Sequence, residues 1–594
     1  MHIEKENEIF GHHPGLFLLF FTEMWERFSY YGMRALLVLF LVSEFADGGW
    51  AWSRKSALEL YALYTGLVYL TPIVGGILAD KVFGHRVAVL LGALLMTLGH
   101  ASMAFDTPMT FYVGLGLLII GNGFFKPNIS SMVGQLYANN AEKKDGAYTI
   151  FYMGINAGAF LGILLCGYTG EKVGWSYGFG LAGIFMALGM VMFFLGKSLF
   201  GEIGKREKNP HGTRTREHAE DVPALVVRDR LIVIGILSFF TIFFWMAFEQ
   251  AGGSMTIFAK DYTARVLSGS SASIFFWANT ALTIVPLIIV TVVLIKLIGK
   301  TFKHIPYSNV SIGLSFLIIW SIALWMLNKE FNMKAYVVAF EIPVAEELSS
   351  NGGQPNPESP AKTKSLERII QSDETLAIDQ KLFLIDREAK GGNGKLKIIS
   401  EAQASQFEGE YNALVVKEKQ NETEVPASWF GILNSFFIIA FAPLLSRLWE
   451  SRLNPSAPGK FGLGLILLGL GFGVLAMGSS SIDNESKTAA VSMWWLIFAY
   501  LLHTLGELCV SPVGLSYVSK LAPAKLVGLM FGVWFGCTAI ANYLAGWTGS
   551  FIDPISEKYG LAFFFMIYTV IPILSGVIIW ILTPKIKKMM HGIE

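Results

Sequence analysis

Glu23, Glu26 and Arg27 interrupt an apolar run near the start of this 594-residue chain, in the stretch FFTEMWERFSYYGMR at 20–34. With Tyr30 and Arg34 they are spaced three or four apart, so on a helix they form one stripe. An ionised side chain near the centre of a bilayer costs about 2.5 to 3.5 kcal/mol on insertion scales, so such groups face a water-filled cavity or a partner rather than lipid. Two carboxylates competing for one guanidinium can take up and release a proton. An internal salt bridge locking two helices is the plainer reading of the same residues.

The elements that must hold this stripe are membrane spans. Residues are 53% hydrophobic and only 15% charged, with a mean hydropathy of +0.51, which predicts an all-α polytopic membrane protein. Forty-six basic and 45 acidic residues nearly cancel, so nothing points to nucleic acid. A crossing takes about 20 helical residues. Runs of that kind fall near 14–42, 57–81, 86–105, 109–136, 146–169, 175–199, 228–260, 271–298, 307–328, 427–449, 460–478, 490–520, 526–548 and 560–583, fourteen in all. Cys166, Cys509 and Cys537 lie inside apolar runs and read as packing residues. His12 and His13 form a lone pair with no third ligand nearby, so no metal site is expected.

Lys and Arg mark the cytoplasmic loops. DKVFGHR, NNAEKKD, the connector with KREKNPHGTRTR, KLIGKTFKH, SRLWESRLNPSAPGK and the tail PKIKKMMHG all fall on one side if every run crosses, which predicts both termini inside; SRKS at 53–56 is an exception. The polar stretch 329–425 then lies outside. Its centre, SSNGGQPNPESPAKTKS, has linker composition, while KAYVVAFEIPV, KLFLIDRE, KLKIIS and YNALVVKEK read as strands and GGNGK as a hairpin turn. A small β-rich extracytoplasmic insertion is expected, with plain disorder as the alternative.

GGILADKVFGHRVAV at 75–89 looks like the signature loop of the major facilitator superfamily. Together with the Glu-x-x-Glu-Arg run at 23–27, GNGFFKPNIS at 121–130, YTIFYMGINAGAF at 148–160 and FWMAFEQAGGS at 244–254, it resembles the proton-coupled oligopeptide transporter family. The resemblance implies two six-helix bundles around a central cavity and import of di- and tripeptides by proton symport, with no cofactor and no enzymatic activity. The family often carries two extra helices between its bundles, and here the count departs from that pattern: a first bundle (1–199), a cytoplasmic connector (200–227) and the seventh core helix (228–260) precede an extra transmembrane hairpin (271–328) and the polar insertion (329–425), and the remaining five helices (427–594) follow. The protein is expected in the plasma membrane, its partners being peptides and lipid.

A short peptide presents an ammonium and a carboxylate a fixed distance apart, so a site can grip both ends and ignore the sequence between. Arg27, Arg34 and Lys126 are the cations available for the carboxylate, and Pro127 is expected to kink or break the helix after Lys126. Glu507, in HTLGELCVSP, is the acid available for the ammonium. The resemblance adds Asn156 and Asn434 for backbone amides, with Tyr30, Tyr31, Tyr69, Trp245 and Trp534 as walls. Proton coupling is expected from Glu23, Glu26, Arg27, Lys126 and Glu249. Two alternatives stay open: the same fold moving nitrate, an amino acid or a peptide-like compound, and a membrane sensor that binds without translocating.

Overall fold

The structure, a computed structural model, describes residues 8–44, 47–138, 140–206, 223–343, 363–372, 375–386, 396–399, 410–419, 422–451, 454–484, 486–523 and 526–593. Each apolar run contains one long helix. The first six are α1 (Pro14–Val42), α2 (Arg54–Leu78), α3 (His85–Met103), α4 (Pro108–Leu136), α5 (Ala141–Lys172) and α6 (Trp175–Gly196). After the connector come α7 (Ala224–Phe248), α8 (Ser270–Thr301) and α9 (Pro306–Asn332). The last five are α10 (Ile432–Trp449), α11 (Ala457–Ser479), α12 (Trp494–Leu521), α13 (Val527–Gly549) and α14 (Leu561–Met589). Among the described residues thirteen helices are long and apolar enough to cross a membrane. The 29-residue α1 is as long and differs in carrying Glu23, Glu26, Arg27 and Arg34.

α1 is the axis of the first bundle, α1–α6. All of its residues except Tyr31 and Ala35 are buried, as a helix apolar on every side requires. The glycines of MGINAGAFLG bring α5 against it: a Cβ at Gly158 would lie 2.2 Å from the Met24 carbonyl oxygen, and one at Gly162 2.2 Å from that of Phe28. Small residues one turn apart let two backbones touch in this way, and the contact fixes the rotation of the charged stripe. Helices α7 and α10–α14 form the second bundle.

Two expectations about helix continuity change. α4 runs unbroken through Pro127; the carbonyl that proline leaves without its helical N–H is that of Gly123, and it lies where a Cβ on Gly75 of α2 would be, 2.0 Å away. The seventh run, expected as one helix to 260, breaks after Phe248 into a 3-10 turn (Glu249–Gly252), a short helix (Ser254–Ile257) and a π turn (Phe258–Tyr262). Gly253, at φ −116° and ψ −105°, makes the bend.

The extra pair α8 and α9 packs on the first bundle although the chain leads to it from α7. Ser308 Oγ donates to the Met192 carbonyl of α6 at 2.8 Å, and Phe316 meets Phe21 and Trp25 of α1 with ring centroids 5.7 Å apart in each case.

Beyond α9 lies a five-stranded antiparallel sheet of β1 (Lys334–Pro343), β2 (Thr363–Ser372), β3 (Lys381–Asp386), β4 (Leu396–Ile399) and β5 (Glu410–Lys419), in the order β2-β1-β5-β3-β4. Alternate residues Tyr336, Val338 and Phe340 point into its own small core with Ile370, Leu376, Leu382, Ala413 and Val415. β2 was not anticipated: the linker reading covered its first three residues, and the rest of that linker, 349–362, lies outside the described residues. The expected turn GGNGK and connector residues 207–222 also lie outside them. Val266–Ser268 pairs antiparallel with Glu422–Glu424, joining the chain just before α8 to the chain as it leaves the sheet.

Candidate functional site

On α1 the Arg27 Nε–H lies between two carboxylates, 2.7 Å from Glu23 Oε1 and 2.8 Å from Glu26 Oε2. All three side chains are buried. The other oxygen of Glu26 accepts from Asn122 Nδ2 of α4 at 3.1 Å. One turn further along α4, Lys126 Nζ lies 4.3 Å from the centroid of the Tyr69 ring on α2 and makes no ion pair among the described residues. The stripe of α1 thus faces α2 and α4.

A turn above, Tyr30 is 2% exposed, and its ring is 5.2 Å from that of the half-buried Tyr31. Arg34 donates to the Tyr61 hydroxyl at 2.6 and 2.9 Å and pairs with Glu249 of the second bundle. Arg34 was expected to bind substrate; here its guanidinium is engaged across the seam between the bundles.

From the second bundle, Glu507 of α12 accepts from Asn434 Nδ2 of α10 at 2.8 Å, and the same amide lies 3.2 Å from Thr504 Oγ1. Glu507 is within electrostatic reach of Tyr31, Tyr69 and Tyr152 of the first bundle, and Glu507, Tyr31, Tyr69 and Lys126 are each half-buried rather than packed over, so the two sets of residues border one central space. Asn156 is 6% exposed, and its amide donates to the Tyr152 carbonyl of its own helix at 3.0 Å. Trp245 is half-buried against Phe244 and Phe248. Trp534 is 5% exposed and lies over Gly514 of α12, where a Cβ would come within 2.2 Å of the indole. These last three pack mainly within their own bundle.

Among the described residues the close contacts between the bundles lie towards one end. At the face that carries the sheet, Arg54 of α2 pairs with Asp261 and Asp553, 2.8 Å each. Glu171 of α5 accepts from the Ala427 and Ser428 backbone N–H groups at 2.8 Å each. Between them α13 lies on α2 so closely that a Cβ at Gly546 would be 2.6 Å from Ala62 Cα. Five turns along the same face of α13, a Cβ at Gly528 would meet nothing within 4 Å. Leu529 there is 61% exposed, and Leu70 and Ile77 towards the same end of α2 are 47% and 49% exposed. The central space therefore opens towards the face where α1 begins and α14 ends.

This architecture has known counterparts. Residues 86–218 and 411–571 match a family model described as PTR2: POT family. The chain is 30% identical over 588 residues to the uncharacterized transporter YclF of Bacillus subtilis (strain 168), covering 98% of this chain and 96% of that protein. The chain belongs to the POT family. Another member, the di-/tripeptide transporter of Lactococcus lactis subsp. lactis (strain IL1403), is 28% identical over 610 residues, covering 100% of this chain and 99% of its own. A crystal structure of a peptide transporter POT in complex with sulfate has the same fold, with a TM-score of 0.64 at 25% identity, covering 99% of this chain and 100% of that one. As in that fold, the POT protein described here is an all-α polytopic membrane protein with a small β-containing insertion.

Several polar partners in this POT chain escaped the sequence reading. Asn122 and Tyr61 are uncharged, so little marks them within an apolar run, although Asn122 stands inside GNGFFKPNIS. Arg54 left a trace as the exception to the loop charge bias. Its partners Asp261 and Asp553 are hundreds of residues away, and nothing local could have named them.

Proposed function

We infer that the protein is a proton-coupled symporter that imports di- and tripeptides by alternating access. The observation that carries this reading is a shared central space with a buried acid–base stripe on one bundle, a carboxylate on the other, and closure, among the described residues, towards one end. Glu23, Glu26 and Arg27, with Lys126 beside them, are the proton-coupling group. A proton on Glu23 or Glu26 frees Arg27 from a carboxylate. A proton on Glu249 releases Arg34 and loosens the seam. Lys126, joined by Arg34 when it is free, receives the peptide carboxylate, and Glu507, oriented by Asn434, receives the ammonium. Tyr30, Tyr31, Tyr69, Asn156, Trp245 and Trp534 complete the surroundings of the peptide.

The basic loops at the open face make that face cytoplasmic, with both termini inside and the sheet outside. The state described is then inward-open, with the outer side held by Arg34–Glu249, Arg54–Asp261 and Arg54–Asp553. A peptide bridging the bundles draws them together, and loss of protons to the cytoplasm restores the buried pairs. Nitrate does not suit this site as well, because the Glu507 carboxylate repels an anion.

The test is uptake of labelled di- and tripeptides into proteoliposomes under an imposed pH gradient, with nitrate and free amino acids as competitors. Gradient-driven accumulation of peptides that neither competitor blocks is expected. Glu26→Gln should abolish accumulation while leaving peptide exchange, and full accumulation by that variant would remove Glu26 from the coupling group.

A further inference from the structure

Glu26 is the acid whose surroundings are most completely built, and the coupling group leaves one member of those surroundings without a role. Asn122 is 1% exposed. Its Nδ2 donates to Glu26 Oε1 at 3.1 Å, while its Oδ1 is buried with no hydrogen-bond partner among the described residues. α4 is held at this level by close contacts on both sides: a Cβ at Gly121 would come within 2.6 Å of the Met96 side chain of α3, and one at Gly123 within 2.7 Å of Thr71 Cβ on α2. The side chain between these glycines therefore has a fixed origin and a fixed reach to Glu26.

We propose that Asn122 is a positioning residue for the proton cycle of Glu26, its carboxamide donating to the carboxylate and, turned end for end, accepting from the carboxylic acid. The proposal rests on the reading of Glu26 as a proton carrier. A carboxamide is a donor at one end and an acceptor at the other. A carboxylate only accepts; once it gains a proton from water it must also donate, and in a buried site that O–H needs an acceptor. The unpartnered Oδ1 is reached by a half-turn of the amide, with no helix movement. When the proton returns to water, the amide turns back. The other groups facing Glu26 are Glu23 and Arg27 of α1, Lys126 of α4 and Tyr64 of α2. Arg27 and Lys126 only donate, so neither can hold the acid form; Glu23, whose Oε1 already takes the Arg27 Nε–H at 2.7 Å, and the Tyr64 hydroxyl are the other acceptors near Glu26.

Gradient-driven dipeptide uptake and peptide counterflow without a gradient, in proteoliposomes of purified monodisperse protein across external pH, separate this from a packing role. Asn122→Leu removes both ends of the amide; Asn122→Asp keeps its shape. A charge-assisted donor is stronger than a neutral one, so its loss weighs on the carboxylate, and the pH of half-maximal uptake in Asn122→Leu should rise by about one unit. Driven uptake should fall about tenfold and counterflow less than about threefold. Asn122→Asp sets a second carboxylate beside Glu26 and should move the profile up at least as far. An unchanged profile in Asn122→Leu overturns the proposal, as does a profile moved by Leu and left in place by Asp, since shape would then be what matters. Where Asn122→Leu does not yield folded protein, the Asp profile decides alone. Full accumulation by Glu26→Gln would remove the underlying reading and the proposal with it, whereas a normal Asn122 profile beside an uncoupled Glu26→Gln removes only the proposal.

Discussion

On the second bundle the Glu507 carboxylate faces tyrosines of the first, and its orientation depends on the amide of Asn434 at 2.8 Å. A hydrogen bond to a charged group contributes about 1.5 to 3 kcal/mol, so Glu507→Gln should weaken binding of free-amine peptides about 10- to 100-fold. Peptides with a blocked amino terminus should bind that variant as they bind the wild type, and competition binding reads the difference. Asn434→Ala should show a smaller loss of the same selectivity. Residues of this kind could be read from the chain because a charge inside an apolar run carries an insertion cost that demands an explanation. Polar residues without charge carry little such cost, which is why Asn122, Thr504 and Tyr61 enter only with the structure.

Helices were well marked in the sequence, since length and apolarity suffice to place a span. The way they touch was only partly marked. The glycines of GGILADKVFGHRVAV permit close approach, but the partner of Gly75 is Gly123, forty-eight residues away and set against it by the carbonyl that Pro127 leaves free. Gly75→Ala puts a methyl group on that oxygen and should cost about 1 to 3 kcal/mol, seen as a lower melting temperature in detergent. The start of α1 is capped by His13, whose Nδ1 accepts from the Gly15 N–H at 2.9 Å. Burial pushes its imidazole down to about 4. The unfolded chain takes up this proton near pH 6.5 and the folded one does not, so the contribution is complete above that pH and is lost as pH falls towards 4, at about 1.4 kcal/mol per unit. Protection of the first-turn amides of α1, with exchange taken relative to the intrinsic rate at each pH, should fall between pH 7 and 5, and His13→Ala should make it low throughout.

At the scale of the whole molecule, closure at one end depends on few groups. Arg54→Ala takes the guanidinium from Asp261, 8% exposed, and from Asp553, and leaves Asp261 with Lys260 at 3.5 Å, so the loss should stay below the about 3 to 5 kcal/mol of a fully unpaired buried charge. The bundles should then part more often at the sheet-bearing face. With Cys166, Cys509 and Cys537 replaced by serine, Leu58→Cys on the buried seam of α2 should react faster with a membrane-impermeant maleimide when Arg54 is absent. An equal rate would show that the remaining contacts suffice. The sheet has a core separate from that of the helices, so replacing 334–420 by a short Gly-Ser linker should leave the melting temperature of the helical part within a few degrees.

Because α8 and α9 lie on the first bundle while their neighbours in sequence belong to the second, the polypeptide passes from one bundle to the other three times: at the connector, after Thr263, and again before α10. A two-bundle chain without this pair would pass once. Rocking of one bundle on the other therefore has to be absorbed at two further crossings, both on the face where Arg54 and Glu171 hold the seam. Covalent tethers and ion pairs there restrain the same movement, and the pair of helices acts as an outrigger that travels with α1.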